Sequence, residues 1–177
     1  MGEATGDLTP IDHYVRERKA ATRTPGLAYA VVSPDGVVHQ RTWGHDGHGA
    51  QVTTSTPFLW GSVSKPVTAT AVMTLVDAGN LDLDAPVRRY LPWFRLADDV
   101  AAEGITMRHL LTHTSGIPGG TGVTDRFEEV DDPYRRGVAD LAGVAPRAAP
   151  GQRHAYTSAN YLVLGAIVQA VTGQCFD

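Results

Sequence analysis

The sequence predicts an α/β fold in which an N-terminal antiparallel hairpin belongs to an incomplete sheet packed on helices, and a largely helical subdomain follows. Two observations lead to this prediction. Two segments rich in β-branched residues, 27–32 and 37–43, flank the turn sequence Pro34-Asp35-Gly36. Apolar runs of helical length then recur along the chain, at residues 67–76 and 158–172.

The elements around the hairpin follow from local signals. Residues 11–22 form a short charged helix with Pro10 at its start, since proline is tolerated in a first helical turn. The two hairpin strands come next, and a polar loop with several Gly and His residues connects them to the apolar helix. That helix is expected to end near Ala78-Gly79-Asn80, where glycine permits a left-handed stop.

The rest of the chain reads as helices separated by turns and loops. The expected helices are a short one opened by Leu81-Asp82-Leu83-Asp84-Ala85-Pro86 that runs to Tyr90, another at 106–112, one around 133–141, and 158–172 with its stop at Gly173. Residues 117–150 are otherwise rich in Gly, Pro, Asp and Arg, which predicts mostly irregular structure.

The predicted sheet is incomplete. A lone two-stranded hairpin is marginally stable in water, and no further strand is predicted after residue 43. We therefore expect residues 1–177 to be the N-terminal portion of one domain whose later strands are absent. An uncovered hairpin edge also predicts self-association, because unpaired strand edges recruit other strands.

Composition excludes several classes of function. The 177 residues are 42% hydrophobic, which suffices for a sizeable core, and a net charge of -4 argues against nucleic-acid or anionic membrane partners. The single cysteine, Cys175, cannot form an intramolecular disulfide. The first residues have no basic region followed by an apolar stretch, so no secretory signal is predicted and a cytoplasmic location is expected.

Lys65 is the most informative residue. It is one of two lysines among fifteen basic residues, and it lies in the sequence Gly61-Ser62-Val63-Ser64-Lys65-Pro66. An arginine keeps its proton, whereas a partly buried lysine can release it. If a helix begins here, Ser62 and Lys65 lie about one turn apart on the same face, so the amine can activate a nucleophilic hydroxyl. In the alternative interpretation, Ser62 or Ser64 caps the helix and Lys65 extends into solvent.

Tyr156 offers a second reactive group. It lies in the segment Arg153-His154-Ala155-Tyr156-Thr157-Ser158, where a loop meets the start of a helix. A phenol beside a lysine ammonium has a lowered pKa and can relay protons. Taken alone, however, Tyr156 is better explained as a packed loop aromatic than as a catalytic residue.

Together these segments resemble the serine β-lactamase-related family, which includes class C β-lactamases, penicillin-binding DD-peptidases and esterases. The matching stretches are Gly26-Leu27-Ala28-Tyr29-Ala30-Val31-Val32, residues 61–69, Leu81-Asp82-Leu83-Asp84-Ala85-Pro86-Val87, residues 105–118 and residues 150–165. The second of these stretches contains, at Ser62 and Lys65, the Ser-x-x-Lys element that is typical of the superfamily.

The resemblance implies a serine hydrolase without a cofactor or metal. Ser62 would form an acyl-enzyme with a small-molecule ester, amide or β-lactam, and Lys65 would assist its deprotonation. Tyr156 would carry the proton to the leaving group and later activate water. The backbone N–H of Ser62 would supply half of an oxyanion hole.

Two departures from the family pattern bear on activity. The family's Tyr-x-Asn reads Tyr156-Thr157-Ser158, which puts a hydroxyl of Ser158 in the substrate-binding position, with Asn160 a poor substitute. We therefore expect esterase rather than β-lactamase activity. The family's Lys/His-Thr-Gly strand does not occur in the chain, so an inactive fragment or an interaction module is the alternative. An acyltransferase with the same nucleophile is a further alternative.

Other candidate sites are less well supported. His109 and His113 have the four-residue spacing of helical metal ligands, but no third ligand is evident. Asp82 and Asp84 are better explained by helix capping than by paired-carboxylate catalysis. We therefore predict no metal site.

Overall fold

The computed structural model describes residues 6–122 and 130–176, and the chain forms two compact units, Met1–Leu59 and Trp60–Asp177. The first unit contains α1 (Thr9–Ala21), β1 (Gly26–Ser33) and β2 (Gly36–Gly44). The described part of the second contains α2 (Ser64–Asp77), α3 (Asp99–Gly104), α4 (Met107–Leu111), α5 (Pro133–Ala139) and α6 (Ser158–Thr172). Short 3-10 turns occupy Gly61–Val63, Val87–Arg89 and Asp140–Gly143.

The predicted antiparallel hairpin is confirmed. Gly26 lies opposite Gly44, and Ser33 lies opposite Gly36, so both strands extend slightly beyond the predicted bounds. The register shifts between Val31 and Val32, next to the turn. Gly36 has φ 131°, a conformation that residues with a Cβ rarely adopt, which explains glycine at this position.

Asp12 connects α1 to the hairpin within the first unit. Its carboxylate accepts hydrogen bonds from the hydroxyl of Tyr29 and from Nε2 of His39 at 2.9 Å, and Nε of Arg41 lies 3.4 Å away. The bond from Tyr29, followed by that from His39, lowers the pKa of Asp12. Burial and the same carboxylate raise the pKa of Tyr29 to about 12.

Within residues 6–122 and 130–176 the sheet has two strands. The other pairings there are isolated bridges, between His45 and Gln51 and between Pro86 and Thr106. Among these residues, both strands of the hairpin are therefore edge strands. No helix in these two ranges is long and apolar enough to cross a membrane.

Helix α6 is at the centre of the core of the second unit. Its bounds agree with the prediction, because Thr157 caps its start through a bond from the N–H of Ala159 at 3.3 Å, and Gly173 ends it at φ 68°. The helix is apolar on most sides, which is typical of a buried helix. Its fully buried side chains pack against those of other elements, among them Phe94, Leu91, Ile105, Met107, Leu110 and Leu141.

Two glycines allow α5 and α6 to approach closely. A Cβ on Gly165 would lie 2.3 Å from Cε1 of Tyr134, and one on Gly137 would lie 2.7 Å from Cδ2 of Leu162. At its glycine, each helix thus makes room for a large side chain of the other helix. This contact holds the start of α6, which carries Ser158, against the rest of the second unit.

Three details differ from the prediction. Helix α3 is not expected from the sequence; Asp98 caps it by accepting from the N–H of Ala101 at 3.1 Å. Residues 81–90 form only the 3-10 turn Val87–Arg89 instead of a helix. The capping role of Asp82 and Asp84 is wrong, because Asp82 accepts the N–H of Asp84, and Asp84 binds two nitrogens of Arg108 at 2.7 Å each. Of the predicted irregular segment 117–150, residues 123–129 lie outside the described residues.

Candidate active site

Ser62 lies in the 3-10 turn Gly61–Val63, which leads directly into α2. The sequence predicts a helix start close to Ser62, and the α-helical part begins two residues later with Pro66 in its first turn. Gly61 has φ 52°, which turns the chain into the helix. The nucleophile candidate therefore sits exposed at a helix N-terminus.

Lys65 lies one turn further on and faces Ser62. Its ammonium nitrogen donates to Oγ of Ser62 at 3.1 Å and to Oγ of Ser158 at 3.2 Å. The side chain is half-buried, and its nitrogen lies 5.0 Å from the ring centroid of Tyr156. These contacts contradict the alternative in which Lys65 extends into solvent.

The capping alternative fails as well. The residue before α2 is Val63, and no side chain caps the helix there. Oγ of Ser64 donates to the carbonyl of Gly61 at 2.6 Å. This bond stabilises the 3-10 turn and does not cap the N-terminus of the helix. Oγ of Ser62 is directed at Lys65 and Tyr156.

Tyr156 completes the arrangement from the other end of the sequence. Its hydroxyl lies 2.7 Å from Oγ of Ser62, although 94 residues separate the two. The residue precedes α6, and 52% of it is accessible to solvent. The fold thus brings together all four predicted site residues, Ser62, Lys65, Tyr156 and Ser158, within one unit.

The electrostatics of the site make the phenol of Tyr156 more acidic than an ordinary tyrosine. Interaction with Lys65, followed by the bond to Ser62, lowers the pKa of Tyr156 below its ordinary value of 10.0. Burial raises the pKa of the neighbouring Tyr161, and Tyr156 raises it further. The pKa values of the two phenols are therefore shifted in opposite directions, and Tyr156, the more acidic one, is suited to exchange a proton with Ser62.

His113 has a different role from the metal ligand that its spacing to His109 suggests. Helix α4 ends at Leu111 and His113 has φ 56°, so His109 and His113 do not share a helical face. His109 instead accepts the N–H of Thr106 in a capping box. His113 packs on Tyr156, with ring centroids 4.6 Å apart. No sequence spacing links His113 to Tyr156, although histidine tolerates a left-handed backbone better than most residues.

Asn160 is fully buried and lies behind the site, where its Oδ1 accepts from Oγ of Ser115 at 2.6 Å. It does not replace the amide that the family pattern places at position 158. Among residues 6–122 and 130–176, no three metal-ligating side chains converge.

Comparison with known proteins gives consistent results. A family model described as β-lactamase matches residues 11–177. The chain is 44% identical over 176 residues to penicillin-binding protein 4 of Amycolatopsis lactamdurans, covering 95% of this chain and 45% of that protein. It is 37% identical over 183 residues to esterase EstB of Burkholderia gladioli, covering 92% of this chain and 44% of the relative.

A solved structure supports the fold. It is that of EstCE1, described as a hydrolase with promiscuous acyltransferase activity, and it matches with a TM-score of 0.78 and 29% identity over 96% of this chain and 48% of the other. The chain thus spans less than half the length of each of these relatives.

Proposed function

Because this chain belongs to the β-lactamase family, we propose that it provides the nucleophile of a serine hydrolase that acts through an acyl-enzyme on Ser62. The observation that supports this proposal most directly is the contact of Oγ of Ser62 with both Lys65 and Tyr156, at 3.1 and 2.7 Å. A hydroxyl that contacts both a proton acceptor and a cation stabilising the ionised form of that acceptor has what nucleophilic catalysis requires.

Acylation begins with attack of Oγ of Ser62 on a carbonyl carbon. The proton leaves Oγ for the oxygen of Tyr156, whose ionised form Lys65 stabilises. The backbone N–H of Ser62 belongs to a first helical turn, where amides lack intrahelical acceptors, so it can bind the developing oxyanion. Such a donor is typically worth about 3 kcal/mol in the transition state.

The tetrahedral intermediate collapses when its bond to the leaving group breaks. Tyr156 returns the proton to the departing alcohol or amine, which leaves an ester between the substrate acyl group and Ser62. In deacylation, water attacks the acyl carbon and loses a proton to Tyr156. The ester bond to Ser62 then breaks, the acid leaves, and Tyr156 returns the proton to Oγ of Ser62. Lys65 keeps both oxygens in position throughout.

Ester carbonyls are the preferred substrates in this proposal. Ser158 offers one hydroxyl where the family pattern has a carboxamide, and that hydroxyl already accepts from Lys65. A cleft of about 200 Å³ borders Lys65 and Ser158, with Tyr161, Leu162 and Phe176 among its walls. The walls at Leu162 and Phe176 suit a small apolar acyl group.

The test uses a fluorophosphonate label, p-nitrophenyl butyrate and nitrocefin. We expect labelling and ester hydrolysis that Ser62→Ala reduces to background, and Thr70→Ala is the matched control because it removes a hydroxyl from the exposed side of the same helix. A folded chain that does not label would contradict the proposal. Nitrocefin hydrolysis that depends on Ser62 would overturn the preference for esters.

Two alternatives have supporting observations. The chain spans 45% of penicillin-binding protein 4, which favours an inactive portion that needs a further segment for catalysis. The likeness to EstCE1, with its acyltransferase activity, favours transfer of the acyl group to an alcohol or amine instead of water. Partitioning of a labelled acyl-enzyme between water and added alcohol distinguishes transfer from hydrolysis, and absence of labelling identifies the inactive portion.

Self-association through the hairpin is a separate part of the proposal. Both strands are edges within the described residues, and Val32, Val37 and Val38 are exposed near the turn. Exposed edges with apolar side chains favour pairing with another strand. The cytoplasmic location stays a prediction.

A further inference from the structure

His113 lies directly behind Tyr156. Its ring centroid is 4.6 Å from that of Tyr156 and 5.3 Å from that of Tyr161, with tilts of 42° and 36°. The ring of His154 meets that of His113 edge-on, with centroids 5.9 Å apart. The imidazole therefore supports the phenol on one face, where it restricts the movement of the ring.

His113 also holds the backbone on both sides of Tyr156. Its carbonyl accepts from the N–H of Ala155 at 2.8 Å, and its Nδ1 accepts from the N–H of Thr157 at 3.4 Å. The residues before and after Tyr156 are thus both bonded to one residue. Because the backbone of residues 155–157 is fixed in this way, the direction in which the phenol leaves the chain is fixed as well.

The protonation of His113 follows from its partners. Asn160 Oδ1 accepts from Ser115 Oγ at 2.6 Å, so its Nδ2 is the donor that lies 3.2 Å from Nδ1 of His113. Two N–H donors, from Thr157 and Asn160, therefore converge on Nδ1, which must carry no proton. The imidazole is neutral, with its hydrogen on Nε2.

The surroundings keep His113 in that neutral form. The titratable and charged groups that face it are Lys65 from α2, His154 and Tyr156 from the loop before α6, and Tyr161 from α6. Burial, followed by His154 and Lys65, lowers the pKa of His113 below its ordinary value of 6.5. Protonation would place a hydrogen on Nδ1, which could then no longer accept the hydrogen bonds from Thr157 and Asn160.

We propose that neutral His113 is a positioning residue, which holds the hydroxyl of Tyr156 against Ser62 and beside Lys65 through its ring face and its bonds to Ala155 and Thr157. The inference rests on the proposed function only for its effect on catalysis. Its geometric part concerns where the phenol lies, and this can be measured without turnover.

The test is a pH titration of the chain labelled with ¹³C at Cζ of tyrosine, followed by NMR, with Tyr156→Phe to assign the resonance. We expect Tyr156 to titrate below 10.0 in the wild type and to shift back toward 10.0 in His113→Asn. Asparagine tolerates the left-handed backbone at this position but lacks the ring. The matched control is His154→Asn, a loop histidine whose ring contacts His113, which we expect to leave the titration of Tyr156 in place.

Fluorophosphonate labelling of Ser62 provides the second readout. We expect a fall of about 10- to 100-fold in rate for His113→Asn, the size of effect that a displacement near 1 Å produces. An unchanged Tyr156 titration in folded His113→Asn overturns the inference. A shifted titration in a chain whose Ser62 never labels supports it while contradicting the acyl-enzyme.

If His113→Asn does not fold, NMR of the wild-type chain tests the inference instead. We expect the ¹⁵N shifts of His113 to show an unprotonated Nδ1, and the Tyr156 resonance to change at the pH where His113 takes up its proton. A protonated Nδ1 at neutral pH, or a Tyr156 resonance that does not respond to that step, overturns the inference.

Discussion

Two reactive residues of this chain, Ser62 and Tyr156, are exposed, whereas polar residues directly beside and behind Tyr156 are buried. Ser62 and Tyr156 face solvent, while Thr157 and Asn160 have 3% and 0% accessible surface. Buried polar groups must be hydrogen-bonded to be tolerated, and each of these is. The site thus combines access for a substrate with a rigid support.

At Lys65 we predict a change in the acidity of a neighbour. Interaction with Lys65 is the largest cause that lowers the pKa of Tyr156, so Lys65→Met should return that pKa toward 10.0. The phenolate then forms only at higher pH, and the alkaline rise of Ser62 labelling should move in the same direction. The measurement is the ¹³C titration of tyrosine together with the pH profile of labelling. A Tyr156 that titrates unchanged in Lys65→Met would rule out this coupling.

At Ser158 we predict a change in substrate preference. Asparagine there restores the carboxamide of the family pattern and adds two N–H donors. One added hydrogen bond to a lactam substrate is worth about 1 kcal/mol, so Ser158→Asn should raise nitrocefin turnover relative to butyrate ester by roughly 5- to 10-fold. Ser158→Ala is the control, because it removes the hydroxyl without adding a donor. Equal ratios in all three chains would argue against a substrate contact at this position.

Among the elements, the contact between α5 and α6 is tightly constrained. An alanine in a helix is ordinarily favoured over glycine by about 1 kcal/mol. At Gly165 the added Cβ would lie 2.3 Å from the ring of Tyr134, so the steric cost should exceed that gain.

We predict that Gly165→Ala destabilises the chain by about 1–3 kcal/mol, the usual cost of overpacking. Gly143→Ala is the matched control, since nothing lies within 4 Å of its added Cβ. Urea unfolding followed by circular dichroism measures both free energies. A Gly165→Ala chain as stable as the wild type would mean that Tyr134 moves aside readily.

The elements that the sequence predicts well have local causes. Helix α6 begins after a capping Thr157 and ends at Gly173, and the hairpin follows from its turn residues. Helix α3 escapes prediction because it has only six residues and its main signal is the single cap Asp98. The role of Asp84 is not predictable because its partner Arg108 lies 24 residues away, which no local pattern reveals.

The same distinction applies to the site. The spacing of Ser62 and Lys65 on one helical face is predictable, because three residues make nearly one turn. Tyr156 can be linked to them only through resemblance, since 94 residues intervene. The support from His113 is not predictable, because it depends on where a loop after α4 meets the residues that precede α6.

At the scale of the whole molecule, helix α2 exposes more apolar surface than its sequence suggests. Only Thr68 and Val72 of this helix are buried, whereas Val67 and Met73 are exposed. A helix that is apolar on most sides is typical of a core position. The exposed apolar side chains of α2 therefore form a surface that a core helix would ordinarily bury.

At this scale we also predict association of the chain through its hairpin. Val38→Lys should shift the protein toward monomer, because a charge on an edge strand opposes strand pairing. Val100→Lys adds the same charge at an exposed valine of α3 and should leave the distribution unchanged. Sedimentation velocity compares the three chains. A wild type that is monomeric at all concentrations would contradict the predicted association.

Asp12 makes the stability of the first unit depend on pH. Three hairpin side chains converge on its carboxylate. The pKa of Asp12 is lowered in the folded chain from its ordinary value of 3.8. These contacts therefore contribute fully to stability above pH 3.8, and the contribution is lost as the pH falls through the lowered pKa and the carboxylate is protonated. Neutralising this one carboxylate would therefore loosen a helix and two strands together.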